Sequence, residues 1–209
     1  MPMLSPLPHP SSRAAIVEEL LGLFPARVDR LLEPFVGSGA LTLAAAQQDL
    51  ANYFVVGDEL EALVAIWQLM IERPSVLCDG VAAARRGSPP ADGPVRLLFD
   101  VTQGVEQGTL DRGLEQAHEL LRGRAGTLAG DYSLLMRAAQ PEDLVYLDPP
   151  PVGGPSAWHP DWDEGLDADR FRDVLDAAIQ RNIRFVVTTD LDLGLRKQVI
   201  GGVTVWLSY

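Results

Sequence analysis

Two short stretches most constrain what this chain can fold into, because each runs from apolar residues into a glycine or an acid and then directly into a helix-forming sequence. Residues 28–35 are short and largely apolar, reach Gly37 and Gly39, and pass into the Ala/Leu-rich stretch 40–48. This predicts strand, glycine turn, helix. Residues 53–56 stop at Gly57-Asp58, and residues 59–72 (ELEALVAIWQLMIE) carry apolar side chains at helical spacing. The alternation extends both ways. Ahead of it, residues 13–24 place Ala14, Ile16, Val17, Leu20, Leu21 and Leu23 on a helical pattern, with Ser11 or Ser12 as N-cap. Behind it, helices are expected over 110–122, 131–139 and 167–181, and strands over 143–147, 183–189 and 203–207. Several of these strands are continuous apolar runs, which argues for a mostly parallel sheet with helices on both faces, the α/β class.

The 209 residues, 47 % of them apolar, suffice for one sizeable core, so one domain over 1–209 is expected. Between 73 and 108 the pattern weakens, and Gly87, Pro89, Pro90, Gly93 and Pro94 crowd together, which reads as a loop-rich insertion. Asp49, Asp58, Glu59 and Glu61 interrupt the most apolar third, leaving no run long enough to span a bilayer. Residues 1–10 lack the cationic and apolar pattern of a secretory signal, and Cys78 is the single cysteine, so a cytoplasmic location is expected. Seventeen basic residues face 29 acidic ones, for a net charge of −12. That balance opposes a tight grip on a phosphate backbone, where lysine and arginine normally displace counterions. Arg181, Arg184, Arg196 and Lys197 form either a local basic face or an ordinary solvated surface.

In parallel sheets, ligands settle at the carboxyl ends of the strands. Glu33-Pro34-Phe35-Val36-Gly37-Ser38-Gly39 lies at one such end, where glycines allow close backbone approach and the following helix offers free N–H groups. Asp58, nineteen residues after Gly39, ends the next strand, where a carboxylate can accept both hydroxyls of a ribose. A Gly-x-Gly alone more often marks a structural turn; together with the acid at the next strand end it describes a nucleoside site as readily as a turn. A third strand end carries Asp148-Pro149-Pro150-Pro151.

The segment from Glu33 to Ala40 resembles the first motif of the Dam-type (D12 class) DNA adenine-N6 methyltransferases, and the segment from Asp143 to Pro150 (DLVYLDPP) resembles their catalytic strand and loop. Asp131-Tyr132, seventeen residues before Asp148, matches the Asp-aromatic pair of that family that receives the cofactor's adenine. The stretch 157–171 follows its later pattern faintly. The resemblance implies a Rossmann-like methyltransferase fold. It also implies S-adenosylmethionine held by Phe35, Gly37, Gly39, Asp58 and Asp131, with Glu33, Pro34 and Tyr132 beside it, and methyl transfer to the N6 amino group of adenine. Asp148, Pro149 and Pro150 would be catalytic. An exocyclic amino group is a poor nucleophile because its lone pair is delocalised. A carboxylate and the Pro149 carbonyl, each accepting one of its N–H bonds, would localise that pair and aim it at the methyl group. Neither a metal nor a covalent intermediate is needed.

Three departures from the family stand out. Its catalytic loop ends in an aromatic that stacks on the extruded base, where this chain has Pro151. Its N-terminal Gly-Gly-Lys becomes Ser11-Ser12-Arg13, which keeps a cation; Arg13 is then either a cofactor-side cation or an exposed first-turn residue. The interval that holds the family's DNA-recognition region is short and poor in Lys and Arg. DNA is therefore set against a second acceptor class, a peptide or small-molecule amino group. Pro151, Trp158, His159 and Trp162 would then line an acceptor pocket, the tryptophans being otherwise packing residues and His159 a proton acceptor or a structural residue. A degenerate relative that binds without catalysing is the third reading; the intact Asp148-Pro149-Pro150 speaks against it.

Overall fold

The computed structural model describes residues 5–8, 13–152 and 165–209. A turn of 3-10 helix at Arg13–Ala15 leads into α1 (Val17–Leu21), then β1 (Val28–Glu33), α2 (Ala40–Gln47), β2 (Ala51–Asp58) and α3 (Glu61–Glu72). After these come α4 (Pro74–Arg85), α5 (Gly93–Val101), α6 (Gln107–Leu121), β3 (Ala125–Ala129), α7 (Ser133–Ala138) and β4 (Leu144–Leu147). The chain continues through α8 (Ala168–Gln180), β5 (Arg184–Thr188), β6 (Arg196–Ile200) and β7 (Val203–Leu207).

The seven strands form one sheet in the order β3-β2-β1-β4-β5-β7-β6. The first five are parallel, and β7 runs antiparallel to both β5 and β6. Because successive side chains of a strand point to opposite faces, β4 divides its four buried residues between two cores. Leu144 and Tyr146 join the core that contains α2, α3 and α6, whereas Val145 and Leu147 meet Phe171, Leu175 and Ala178 of α8. Burial on both faces explains why this strand reads as an unbroken apolar run.

Three features differ from the expectations. The interval 73–108 is not loop-rich; it holds α4 and α5, joined through a short Gly/Pro segment. Two of its four prolines start helices instead of breaking them, while Pro89 and Pro90 lie in the segment between α4 and α5. Pro74 and Pro94 stand in first-turn positions, where the missing N–H has no intrahelical partner to lose. Leu77, Val81 and Ala84 then supply a buried stripe. The helix expected over 13–24 is shorter, since α1 is confined to 17–21 and Gly22 caps it. Finally, β3 and β6 carried no strand signal. Both are edge strands whose side chains are largely outside the core, so neither alternation nor an apolar run marks them. A two-glycine turn, Gly201-Gly202, with φ of +53° and +82°, connects β6 to β7.

Three of the four basic residues near the C-terminal end are engaged by their own neighbours. Arg181 donates to the carbonyls of Met136 and Ala139 at the end of α7, and Arg184 to that of Glu142. Lys197 lies over the Trp206 ring, 5.3 Å from its centroid. No helix among the described residues is long and apolar enough to cross a membrane.

Candidate active site

The carboxyl ends of β1, β2, β4 and β5 open onto one cavity of about 710 Å³, inside the range of about 300–1,000 Å³ usual for ligand pockets. It lies over the place where the chain leaves β1 for β2 on one side and returns as β4 on the other, the switch point at which such sheets bind ligands.

On the β1 side the wall is the glycine loop. Gly37 and Gly39 hold φ of +46° and +59°, a region that favours glycine. Gly39 is further fixed by space, because a Cβ there would stand 2.1 Å from the Trp67 ring. The Trp67 indole N–H donates to the Gly37 carbonyl at 3.2 Å, and the Ser5 hydroxyl donates to the Ser38 carbonyl. Thus α3 and the N-terminal segment both brace the loop. Asp58, 7 % exposed, ends β2; its Oδ1 accepts the Leu60 N–H at 3.1 Å and its Oδ2 lies 3.4 Å from the Gly37 nitrogen.

Glu33 forms the floor between the two halves. It is 3 % exposed and accepts the Thr42 hydroxyl of α2. Burial pushes its carboxyl up to about 8, against the Thr42 hydrogen bond and helped by the nearby charges of Asp148 and Asp58.

Phe35 and Tyr132 stack at 5.2 Å between centroids, and Phe171 meets Tyr132 edge-on at 5.6 Å. Tyr132 borders the cavity, and its buried hydroxyl has no hydrogen-bond partner among the described residues. Asp131 stands just outside the lining. Its Oδ1 accepts the Ser133 N–H and an Arg170 N–H at 2.9 and 2.8 Å. Burial works against its charge, but these donors hold the carboxyl below its ordinary value.

Asp148, Pro149, Pro150 and Pro151 wall the other half. The Asp148 carboxylate is gripped by Arg13: Nη2 to Oδ1 at 2.7 Å, and Nε to Oδ1 and Oδ2 at 3.1 and 3.0 Å. The Thr188 hydroxyl reaches Oδ1 at 2.5 Å. Arg13 is therefore neither an exposed first-turn residue nor directed at the glycine loop. Burial opposes its charge, yet the Asp148 contact raises its affinity for its proton.

The structure thus brings Arg13, Glu33, Pro34, Phe35, Gly37 and Gly39 into one cavity with Asp58, Tyr132 and the Asp148–Pro151 loop. Trp158, His159 and Trp162 lie outside the described residues. Sequence reasoning missed Thr188 and Tyr146, which stand behind Asp148, and the neighbouring Asp190. Thr188 could have been noticed as a polar residue at the end of an apolar strand, in line with Asp148 on the next one. Among the described residues, no group of three His, Cys, Asp or Glu side chains is placed to hold a metal ion.

The glycine loop and Asp58 both fall in a segment that resembles a known family. Residues 12–87 match the model of the D12 class N6 adenine-specific DNA methyltransferases. Asp148 lies beyond the D12 match. No curated protein matches the chain significantly. Among solved structures it is similar to the rRNA methyltransferase aviRa from Streptomyces viridochromogenes, at 17 % identity over 95 % of this chain and 85 % of that one, with TM-scores of 0.54 and 0.53 for two determinations. A putative methyltransferase, yhhF from Escherichia coli, aligns at 14 % identity over 96 % and 88 % of the two chains, with a TM-score of 0.44. The fold is that of the Rossmann-like methyltransferases. Together with the D12 match it supports an S-adenosylmethionine-dependent methyltransferase.

Proposed function

We propose that this protein transfers the methyl group of S-adenosylmethionine to an amino nitrogen, and that the exocyclic N6 of adenine in DNA is the acceptor. The observation that carries this reading is that Asp148-Pro149-Pro150 shares one cavity with the glycine loop and Asp58. The residues fit the cofactor. The glycine loop turns tightly at Gly37 and Gly39 and lines the cavity with its backbone, Asp58 offers a carboxylate for a ribose, and the buried Tyr132 hydroxyl, without a partner among the described residues, leaves a polar atom on the cavity wall.

When bound, S-adenosylmethionine supplies a methyl group on a cationic sulfur. The protein's part is placement. Phe35 and Tyr132 present an aromatic wall to the adenine ring, and Asp131 stands next to it. The start of α2 offers N–H groups to a carboxylate. Asp148 accepts a hydrogen bond from the acceptor amino group and the Pro149 carbonyl accepts the other. The pair turns the nitrogen lone pair toward the methyl.

One observation favours the second acceptor class, an amino group on a peptide or small molecule. With Glu33 keeping its proton, the charged residues among the described lining are Asp58, Glu59, Asp148 and Asp190 against Arg13 alone. That wall repels a polyanion. Pro151 offers little stacking surface, and α4 and α5 fill the interval where the family keeps its recognition region.

The test is calorimetric titration of S-adenosylmethionine and S-adenosylhomocysteine, followed by transfer of tritiated methyl to unmethylated genomic DNA across a salt series. Cofactor binding with label in DNA that falls as salt rises supports the adenine reading. Binding with unlabelled DNA moves the acceptor to peptide and metabolite amines. Absence of cofactor binding overturns the methyltransferase reading.

A further inference from the structure

Behind Asp148 lies a buried pair of hydroxyls, Tyr146 and Thr188, outside the segment 12–87 that matches the D12 model. Tyr146, on β4 two residues before Asp148, is 1 % exposed, and Thr188, the last residue of β5, is fully buried. Their hydroxyl oxygens are 3.2 Å apart. Thr188 Oγ1 is 2.5 Å from Asp148 Oδ1 and 3.4 Å from the Leu147 carbonyl, so its single proton belongs to the carboxylate. The Tyr146 hydroxyl then donates to Thr188. Parallel pairing of β4 with β5 makes this possible. Leu147 is in register with Val187, so the next residues on the two strands, Asp148 and Thr188, emerge side by side.

The two carboxylate oxygens are loaded unequally. Among the described residues, Oδ1 receives Thr188 and two nitrogens of Arg13, whereas Oδ2 receives only the Arg13 Nε, at 3.0 Å and shared with Oδ1. A carboxylate oxygen has room for about two good donors. Oδ1 is full, and Oδ2 keeps a free lone pair.

Resting on the reading of Asp148 given above, we propose that Thr188, backed by Tyr146, is a positioning residue that locks the Asp148 carboxylate by Oδ1 and thereby presents Oδ2 to the acceptor amino group. A carboxylate held at one oxygen cannot rotate, so the acceptor meets one fixed oxygen on every encounter.

A test that needs no acceptor uses sinefungin, an analogue of S-adenosylmethionine with an amine in place of the sulfonium methyl. That amine should meet a correctly aimed Asp148, and S-adenosylhomocysteine, which lacks it, provides the baseline. By calorimetry the wild type should prefer sinefungin, and Asp148→Ala should abolish the preference. Thr188→Val should cut it by about tenfold, the effect of losing one charge-assisted contact, with affinity for S-adenosylhomocysteine kept. Thr188→Ser, which restores the hydroxyl, should recover most of it.

If the wild type shows no preference, or Asp148→Ala retains it, the reading of Asp148 fails. If Asp148→Ala loses the preference and Thr188→Val keeps it, the role of Thr188 alone is overturned. Loss in both Thr188→Val and Thr188→Ser would mark a packing role and overturn it too.

Discussion

The guanidinium of Arg13 forks onto the carboxylate of Asp148, 135 residues further along the chain, with its shortest contact at 2.7 Å. Both groups are mostly shielded from water, their side chains being 27 % and 20 % exposed, so the pair is more than a surface ion pair. Arg13→Ala should therefore slow methyl transfer by about tenfold, the effect of losing a charge-assisted contact, and leave S-adenosylmethionine affinity within a few-fold. Calorimetry on the variant checks this. A large loss of cofactor affinity would return Arg13 to the cofactor side.

Asp148→Ala should abolish transfer while the cofactor still binds, because the glycine loop and Asp58 belong to other strands. Full activity in this variant, measured by label transfer to DNA, would remove Asp148 from the chemistry. Asp58→Ala should do the reverse, weakening cofactor binding on the order of tenfold through loss of its hydrogen bonds to the ribose; unchanged affinity would remove it from that role.

Glu33 gives a pH dependence with a definite sign. Its carboxyl is raised from 4.5 to about 8 in the folded protein. Between those values the folded state keeps a proton that the unfolded chain releases. Stability is thus fully present below 4.5 and is lost as pH rises toward 8. Glu33→Gln cannot ionise, so in denaturant titrations its stability relative to the wild type should rise across this window by roughly 1 kcal/mol per pH unit. A gap that stays flat with pH would show that the side chain is not held protonated.

Gly39→Ala tests the loop. The added methyl would meet the Trp67 ring at 2.1 Å on a backbone with φ of +59°. Overpacking and the left-handed backbone together should lower stability on the order of 3 kcal/mol. Gly87→Ala has a positive φ but open space around it, and should cost about 1 kcal/mol. Thermal unfolding of the two variants, side by side, separates steric from backbone cost.

The legible parts of the sequence were those whose neighbours are dictated locally. A strand buried on both faces, such as β4, must be apolar throughout, and a glycine that touches a tryptophan ring must be glycine. The unread parts depend on contacts made at a distance. Pro74 and Pro94 look like breakers until a helix is known to start at them. The strand β6 (RKQVI) is polar because it lies at the sheet edge, and it and its Gly201-Gly202 hairpin turn went unread. The Arg13–Asp148 pair and the Thr188 hydroxyl were hidden for the same reason: the sheet order, not the chain order, makes them neighbours.

Since β1 to β5 all point the same way, the described lining of the candidate site is gathered along one rim of the sheet, opposite the rim from which those strands start. The bend at Arg122-Gly123, where Gly123 has φ of +73° and open space around it, belongs to that rim. It is therefore a place where a fluorophore, an affinity handle or an inserted peptide can be grafted while the rim with the candidate site stays untouched.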